Sequence, residues 1–238
     1  MSNITPFQGE TPDNFNTRCL CVLVLDTSYS MEGDPINELN KGLLSFGDFL
    51  KSKNSTRFSV ETSIITFNSE VECVQEPALV DEMQSTSKFP LQVDGTTKLV
   101  DGVRAAIKKV EDRKQWYRNN GIAYYRPWVV LITDGYPDKD QDIDGLANEI
   151  KIAHNGKHFA FLPMGVEGAD PQFLSKIATS EFPPLPIDWQ KFQDVFQWLS
   201  NSLDKVSQSA EGEKVTFGSV QDFTRTGWGG GDFTQTPI

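Results

Sequence analysis

Histidine and cysteine are scarce in this chain, at two and three residues among 238. That scarcity works against the common zinc centres, which draw their ligands from those two residue types. His154 and His158 lack a cysteine or carboxylate arrangement typical of zinc and read as surface or packing residues. Cys19, Cys21 and Cys73 form no CxxC pair and no short-loop framework of the kind that staples small secreted domains. Cys19 and Cys21 share a face of one extended run, too near along the backbone to bridge easily. Free, buried thiols in a reducing cytosol are expected. No apolar run reaches the length of a membrane span. Residues 1–18 are polar, without the hydrophobic core of a secretory signal. Positive charge is short as well: 22 Lys and Arg stand against 33 Asp and Glu, for a formal charge of −11. A surface of that sign argues against non-specific binding to nucleic acid or to an anionic membrane. It is compatible with a bound cation or a basic partner, and it is also an ordinary solubility feature.

What is present describes a soluble α/β protein. Hydrophobic residues make 38% and charged residues 23%, an ordinary globular balance. The length suits one large domain or two small ones. Residues 1–17, with Pro6, Gly9 and Pro12, read as a flexible arm. An apolar strand covers 19–26. A helix is expected over 35–52, with Asp34 before it and Pro35 in its first turn. Its residues Ile36, Leu39, Leu43, Phe46 and Leu50 follow the helical period. Arg57 to Phe67 reads as a strand, with Val71 to Val74 as its hairpin partner across Asn68-Ser69. A second helix is expected over 98–116 and a strand over 127–133. A third helix carries Ile143, Leu146, Ala147 and Ile150, and a strand follows at 158–164. Phe173, Leu174 and Ile177 mark a short helix. Glu181 to Ile187, with three prolines, reads as a rigid connection and a candidate domain boundary before a helix over 188–207.

Strands that alternate with helices predict an open, mainly parallel, doubly wound sheet with helices on both faces. The hairpin at 57–74 supplies an antiparallel edge strand. The domain is expected to span 18–210, with 211–238 a C-terminal strand or glycine-rich tail. Composition favours a mobile tail; the alternative is an arm that docks through Phe223, Trp228 and Phe233.

Three segments carry chemistry. Asp26-Thr27-Ser28-Tyr29-Ser30 places one carboxylate and two hydroxyls at alternate positions after the first strand. This hard-oxygen set suits magnesium or manganese better than a soft metal. Asp134-Gly135 closes the strand Trp128 to Thr133, and Asp94-Gly95-Thr96-Thr97 leads into the second helix. Ligands of open α/β sheets bind outside the carboxyl ends of strands, where the strand order reverses, and Asp26 and Asp134 fall at such ends. Gly33 and Gly135 give the adjoining loops freedom. Alone, each segment has a plainer reading as a cap or turn; together they point to one site. Asp138, Asp140, Asp142 and Asp144 have the alternate spacing of a calcium loop, but its glycine and terminal glutamate are misplaced, so capping and solvation are expected. Trp116, Tyr117, Tyr124 and Tyr125 read as packing residues.

On these three segments the chain resembles a von Willebrand factor A domain with a metal-ion-dependent adhesion site. More narrowly it resembles the bacterial tellurium-resistance TerY-like group. The features similar to that group are Met31-Glu32-Gly33-Asp34-Pro35-Ile36, Asn40-Lys41-Gly42, Ile65-Thr66-Phe67, Arg126-Pro127-Trp128, Phe196 to Ser202 and Val206 to Ser209. The resemblance covers 18–210. It implies that Ser28 and Ser30 contact the ion directly and that Thr97 does so directly or through water. Asp26 and Asp134 would hold coordinating waters and orient the serines. Thr96 competes for the threonine role, but Thr97-Lys98-Leu99 gives the better register. The implied ion is Mg2+, with Mn2+ or Ca2+ as alternatives, and an Asp or Glu of a protein partner would fill the open position. Two departures stand out: Tyr29, where the family usually has glycine, and Asp94, in place of a frequent glycine.

The function implied is a non-enzymatic, metal-dependent protein-binding module. Its setting would be a cytoplasmic stress-response or signalling system, with kinase or phosphatase partners. A metal-dependent phosphatase or other hydrolase is the alternative, with Asp26 as nucleophile and Lys98 as phosphate clamp. It lacks a second metal cluster and a convincing histidine base. A structural subunit with a non-functional ion site is the third reading.

Overall fold

The computed structural model describes residues 14–82, 89–210, 213, 215–217 and 220, and the backbone of 234–235. Residues 1–13 of the expected arm, and Phe223, Trp228 and Phe233 of the expected docking arm, lie outside the described residues.

The first strand, β1 (Cys19–Asp26), is buried along its whole length. A run without polar alternation is what a strand covered on both faces requires. Cys19, Cys21, Leu23 and Leu25 enter one core, and Leu20, Val22 and Val24 enter the other. Helix α1 (Asp34–Ser52) follows, then a single helical turn, α2 (Asn54–Arg57), and the hairpin β2 (Val60–Phe67) and β3 (Val71–Leu79). Next come α3 (Leu99–Asn119), β4 (Trp128–Thr133), α4 (Ile143–Asn155), β5 (Ala160–Gly165) and α5 (Pro171–Ile177). The strand β6 (Leu185–Pro186), helix α6 (Phe192–Ser207) and the short strands β7 (Val215–Thr216) and β8 (Thr234–Gln235) complete the order.

The main sheet runs β3-β2-β1-β4-β5-β6. Every neighbouring pair is parallel except β2 with β3, which supplies the expected antiparallel edge. Helices α1 and α6 cover one face through Leu39, Leu43, Phe46, Val195, Phe196 and Leu199. Helices α3, α4 and α5 cover the other through Leu99, Val103, Val110, Leu146, Ile150 and Leu174. The α1–α6 contact is close because Gly42 has no side chain; a Cβ there would sit 2.6 Å from Cδ2 of Phe196. At the amino ends of the strands, buried Glu61 takes Arg18 Nε at 3.0 Å and Arg113 Nε at 2.8 Å. The Tyr117 hydroxyl also donates to Glu61, at 2.7 Å.

The structure departs from the sequence reading in several places. Residues 54–57 form a helical turn, and Thr56 Oγ1 donates to Leu50 O at 2.7 Å, so the strand starts at Val60 rather than Arg57. Strand β3 runs to Leu79 rather than 74. Helix α3 extends to Asn119, three residues past the expected end, and Trp116 and Tyr117 are buried on it. The proline-rich stretch 181–187 is no domain boundary: Leu185 and Pro186 pair with Met164 and Gly165 as the sixth strand. Phe182, Leu185 and Ile187 are buried there. Prolines are tolerated at an edge, where the ladder needs no donor on the outer side. Val215, Phe217 and Val220 join the core, with the Phe217 ring centroid 5.0 Å from that of Trp128.

Candidate metal centre

From β1 the chain passes through α1 to β2 on one side of the sheet; later, α3 returns it to β4 on the other side. The gap at the carboxyl ends of β1 and β4 is therefore the topological switch point, where neighbouring connections diverge and leave a crevice. Asp26 ends β1, and Asp134 directly follows β4. The parallel register, Leu25 with Ile132, brings the two strand ends level.

The site is a chain of oxygens. Asp26 Oδ1 accepts from the Ser28 backbone N–H at 2.9 Å and from Ser28 Oγ at 2.6 Å. Ser28 Oγ and Ser30 Oγ are 3.0 Å apart, and Ser30 Oγ donates to Asp134 Oδ1 at 2.7 Å. A single turn of 3-10 helix, Tyr29–Met31, curls the segment so that the two serines face the same way. Met31 is fully buried and anchors that turn. Thr97 comes from the loop before α3. Its Oγ1 and Asp26 Oδ2 each lie 3.5 Å from the point where a Cβ on Gly135 would stand. Gly135 thus leaves open the space between the Asp26 carboxylate and the Thr97 hydroxyl. All five residues expected at the site meet at this crevice.

Burial dominates the electrostatics. Asp26 is fully buried, and its carboxyl is pushed up to about 6 by desolvation. Hydrogen bonds from Ser28 and Thr133 pull it down, and the Asp134 charge raises it further. Burial pushes Asp134 up too, against the bond from Ser30. Neither carboxylate has a Lys, Arg or His ion-pair partner among the described residues. Two inward-facing carboxylates without a counter-charge, beside three hydroxyls, form a donor set that fits a hard dication. Among the described residues no group of three or more His, Cys, Asp or Glu gathers to hold a metal, so such a site depends on its hydroxyls.

Sequence reasoning missed the residues that hold this arrangement. Thr133 Oγ1 donates to Asp26 Oδ2 at 2.5 Å and accepts from the Gly135 N–H at 3.2 Å. The only signal for it was its place as the last residue of β4, beside Asp134. Asp138 accepts from Thr96 Oγ1 at 2.9 Å and from the Thr97 N–H at 3.3 Å. Gln141 receives the Val100 N–H and donates to Thr97 O, both at 2.6 Å. These two residues cap α3 from another loop and fix Thr97. Of the acidic run, Asp142 caps α4 by accepting from the Gly145 N–H at 2.9 Å, as expected. The Asp94-Gly95 backbone is stitched to the first motif through Asp94 N to Thr27 O at 2.9 Å and Tyr29 N to Gly95 O at 3.3 Å. Tyr29 is 61% exposed and Tyr136 is 64% exposed, so two aromatic rings flank the crevice.

A doubly wound α/β sheet with hydroxyls and carboxylates clustered at its switch point defines a recognisable class of domain. The chain belongs to the von Willebrand factor type A domain family, whose model matches residues 21–197. A comparison with curated proteins finds no match. Among solved structures, a von Willebrand factor type A protein from Catenulispora acidiphila matches at 14% identity and TM-score 0.58, over 79% of this chain and 43% of that one. The pilus adhesin SpaC from Lactobacillus rhamnosus GG matches at 14% identity and TM-score 0.63, over 85% of this chain and 34% of that one. The vWF domain of the type V pili tip protein Mfa5 from Porphyromonas gingivalis matches at 11% identity and TM-score 0.60, over 82% and 98%. The chain spans less than half the length of the Catenulispora and Lactobacillus proteins, and 47% of a mussel byssus matrix protein of the same fold. At these identities the likeness concerns the fold.

Proposed function

We propose that the chain is a divalent-cation-dependent protein-binding module. Ser28, Ser30 and Thr97 would hold a magnesium ion, with Asp26 and Asp134 behind them carrying its waters. A partner's Asp or Glu would complete the shell. One observation carries this reading: two buried carboxylates without a counter-ion share a hydrogen-bonded chain of hydroxyls at the switch point. The exposed rings of Tyr29 and Tyr136 would supply the contact area around the ion, as tyrosines do at the centres of protein interfaces.

The hydrolase alternative is the weaker one. Its nucleophile would be Asp26, which is fully buried with both carboxylate oxygens already accepting hydroxyl hydrogens. A carboxylate so placed is suited to orienting neighbours rather than to attacking a substrate. For the setting, Cys19 and Cys21 are free, buried thiols of raised pKa. With the TerY-like motifs, they support a cytoplasmic stress-response or signalling role with kinase or phosphatase partners. No helix among the described residues is long and apolar enough to cross a membrane.

The test is capture of a partner from the native cytosol in magnesium, repeated in chelator, alongside calorimetric titration with Mg2+ and Mn2+. Ion affinity and capture should both fall in Asp26→Ala and Ser28→Ala, with the circular dichroism unchanged. Unchanged ion affinity in both variants would sink the site assignment; chelator-insensitive capture would sink the role of the ion in binding.

A further inference from the structure

At the edge of the sheet opposite the oxygen cluster, the acidic chain has a basic cavity. It measures about 370 Å³ and opens beside Pro127, which precedes β4, and His158, just before β5. That volume falls within the roughly 300–1,000 Å³ of small-ligand sites. Lys114, Arg118, Arg126 and Lys157 all line it, in a protein of net charge −11. Two of these charges are already matched, Lys114 by Glu111 at 2.9 Å and Arg126 by Glu181 at 2.8 Å. Arg118 donates only to neutral groups, the Tyr124 hydroxyl at 3.2 Å and Gln115 at 3.3 Å. Neither Arg118 nor Lys157 pairs with a carboxylate among the described residues. Arg126 also keeps one buried donor, Nε, without a partner.

Helices α3 and α4 both end near this cavity, and basic side chains offset the negative end of a helix dipole. That accounts for Arg118. It does not account for Lys157, whose backbone takes the left-handed conformation at φ 52°. Past a helix end, glycine holds this conformation at the lowest cost. The chain instead places glycine one residue earlier, at Gly156 with φ −80°, and spends the left-handed position on lysine. A side chain retained where its absence would be more stable points to a use for the side chain.

We propose that this cavity binds a phosphate monoester, with Arg118 and Lys157 clamping the phosphate and Tyr124 and Pro127 walling the organic group. A phosphomonoester carries about −1.5 to −2 charge at neutral pH, which matches two unpaired cations. The Arg118 guanidinium is suited to paired contacts with phosphate oxygens. The site is independent of the metal centre and lies at the other edge of the sheet.

The experiment titrates phenyl phosphate, and separately a phosphoserine hexapeptide, into the full chain at low ionic strength. Chelator is present throughout, so that no metal–phosphate contact contributes. Calorimetry and 1H–15N spectra report binding. Saturable one-to-one binding of either probe, with the largest amide shifts at 156–158, supports the site. Arg118→Gln should weaken binding roughly tenfold, as expected for losing a hydrogen bond to a charged group. Lys157→Gly should weaken it similarly while raising Tm, because the left-handed backbone is relieved. A raised Tm also shows that lost binding is not lost folding. Absence of saturable binding by both probes, or equal affinity in both variants and the wild type, would overturn the proposal and leave only helix-end cations.

Discussion

Replacing Asp26 with asparagine should stabilise the metal-free protein and abolish its response to magnesium. The carboxyl titrates near 3.8 when unfolded but is pushed up to about 6 in the fold, chiefly by burial. Between these values the folded state holds more protons than the unfolded state, so stability falls as pH rises through that window. The favourable, protonated condition is complete below 3.8 and lost above about 6. The ionised group therefore costs about 3 kcal/mol at pH 8. Asparagine removes the charge but keeps an oxygen to accept from Ser28. Its amide then faces Thr133 Oγ1, which now donates to the carboxylate, and that misfit costs about 1 kcal/mol. The net gain in chelator at pH 8 is about 1–2 kcal/mol, or a Tm rise of roughly 2–8 °C for a domain of this size. At pH 4 the gain should vanish, because Asp26 is then largely protonated. Magnesium at a hundred times its Kd should add about 2.7 kcal/mol to the wild type and nothing to Asp26→Asn. Urea unfolding at pH 4 and 8, with chelator or magnesium, measures all four conditions. A variant less stable than wild type in chelator at pH 8, or equally stabilised by magnesium, would refute the reasoning.

Further substitutions test other parts of the molecule. Thr133→Val should weaken magnesium affinity roughly tenfold in calorimetry by freeing the Asp26 carboxylate, although Thr133 itself is no proposed ligand. Tyr29→Gly should leave ion affinity unchanged while altering partner capture, since the exposed ring flanks the site rather than holding the ion. Glu61→Ala leaves Arg18 and Arg113 buried without their carboxylate and should cost about 3–5 kcal/mol by urea unfolding. Gly42→Ala forces the α1–α6 contact apart at Phe196 and should cost about 1–3 kcal/mol in the same assay.

Much of this was legible along the chain because it is local. Apolar runs bounded by polar turns mark β1 and β4, and helical periodicity marks α1 and α6, since burial imposes those patterns wherever the element ends up. The spacing Asp26-x-Ser28-x-Ser30 and the carboxylate of Asp134 after a buried strand are also local. The errors sit where tertiary contact overrides local preference. The turn at 54–57 is held by a bond from Thr56 back to α1, and proline-rich 185–186 becomes a strand only because β5 offers a free edge.

The sequence by itself determined the alternation of strands and helices and the donor types of the candidate metal centre. Strand order and register decided the rest. They bring Asp26 beside Thr133 across 107 residues, and Ser30 against Asp134 across 104. They lay Asp138 and Gln141 over the start of α3, and they gather Arg118 and Lys157 around one cavity at the far edge. Such juxtapositions depend on which elements neighbour one another in space, and no local pattern encodes that.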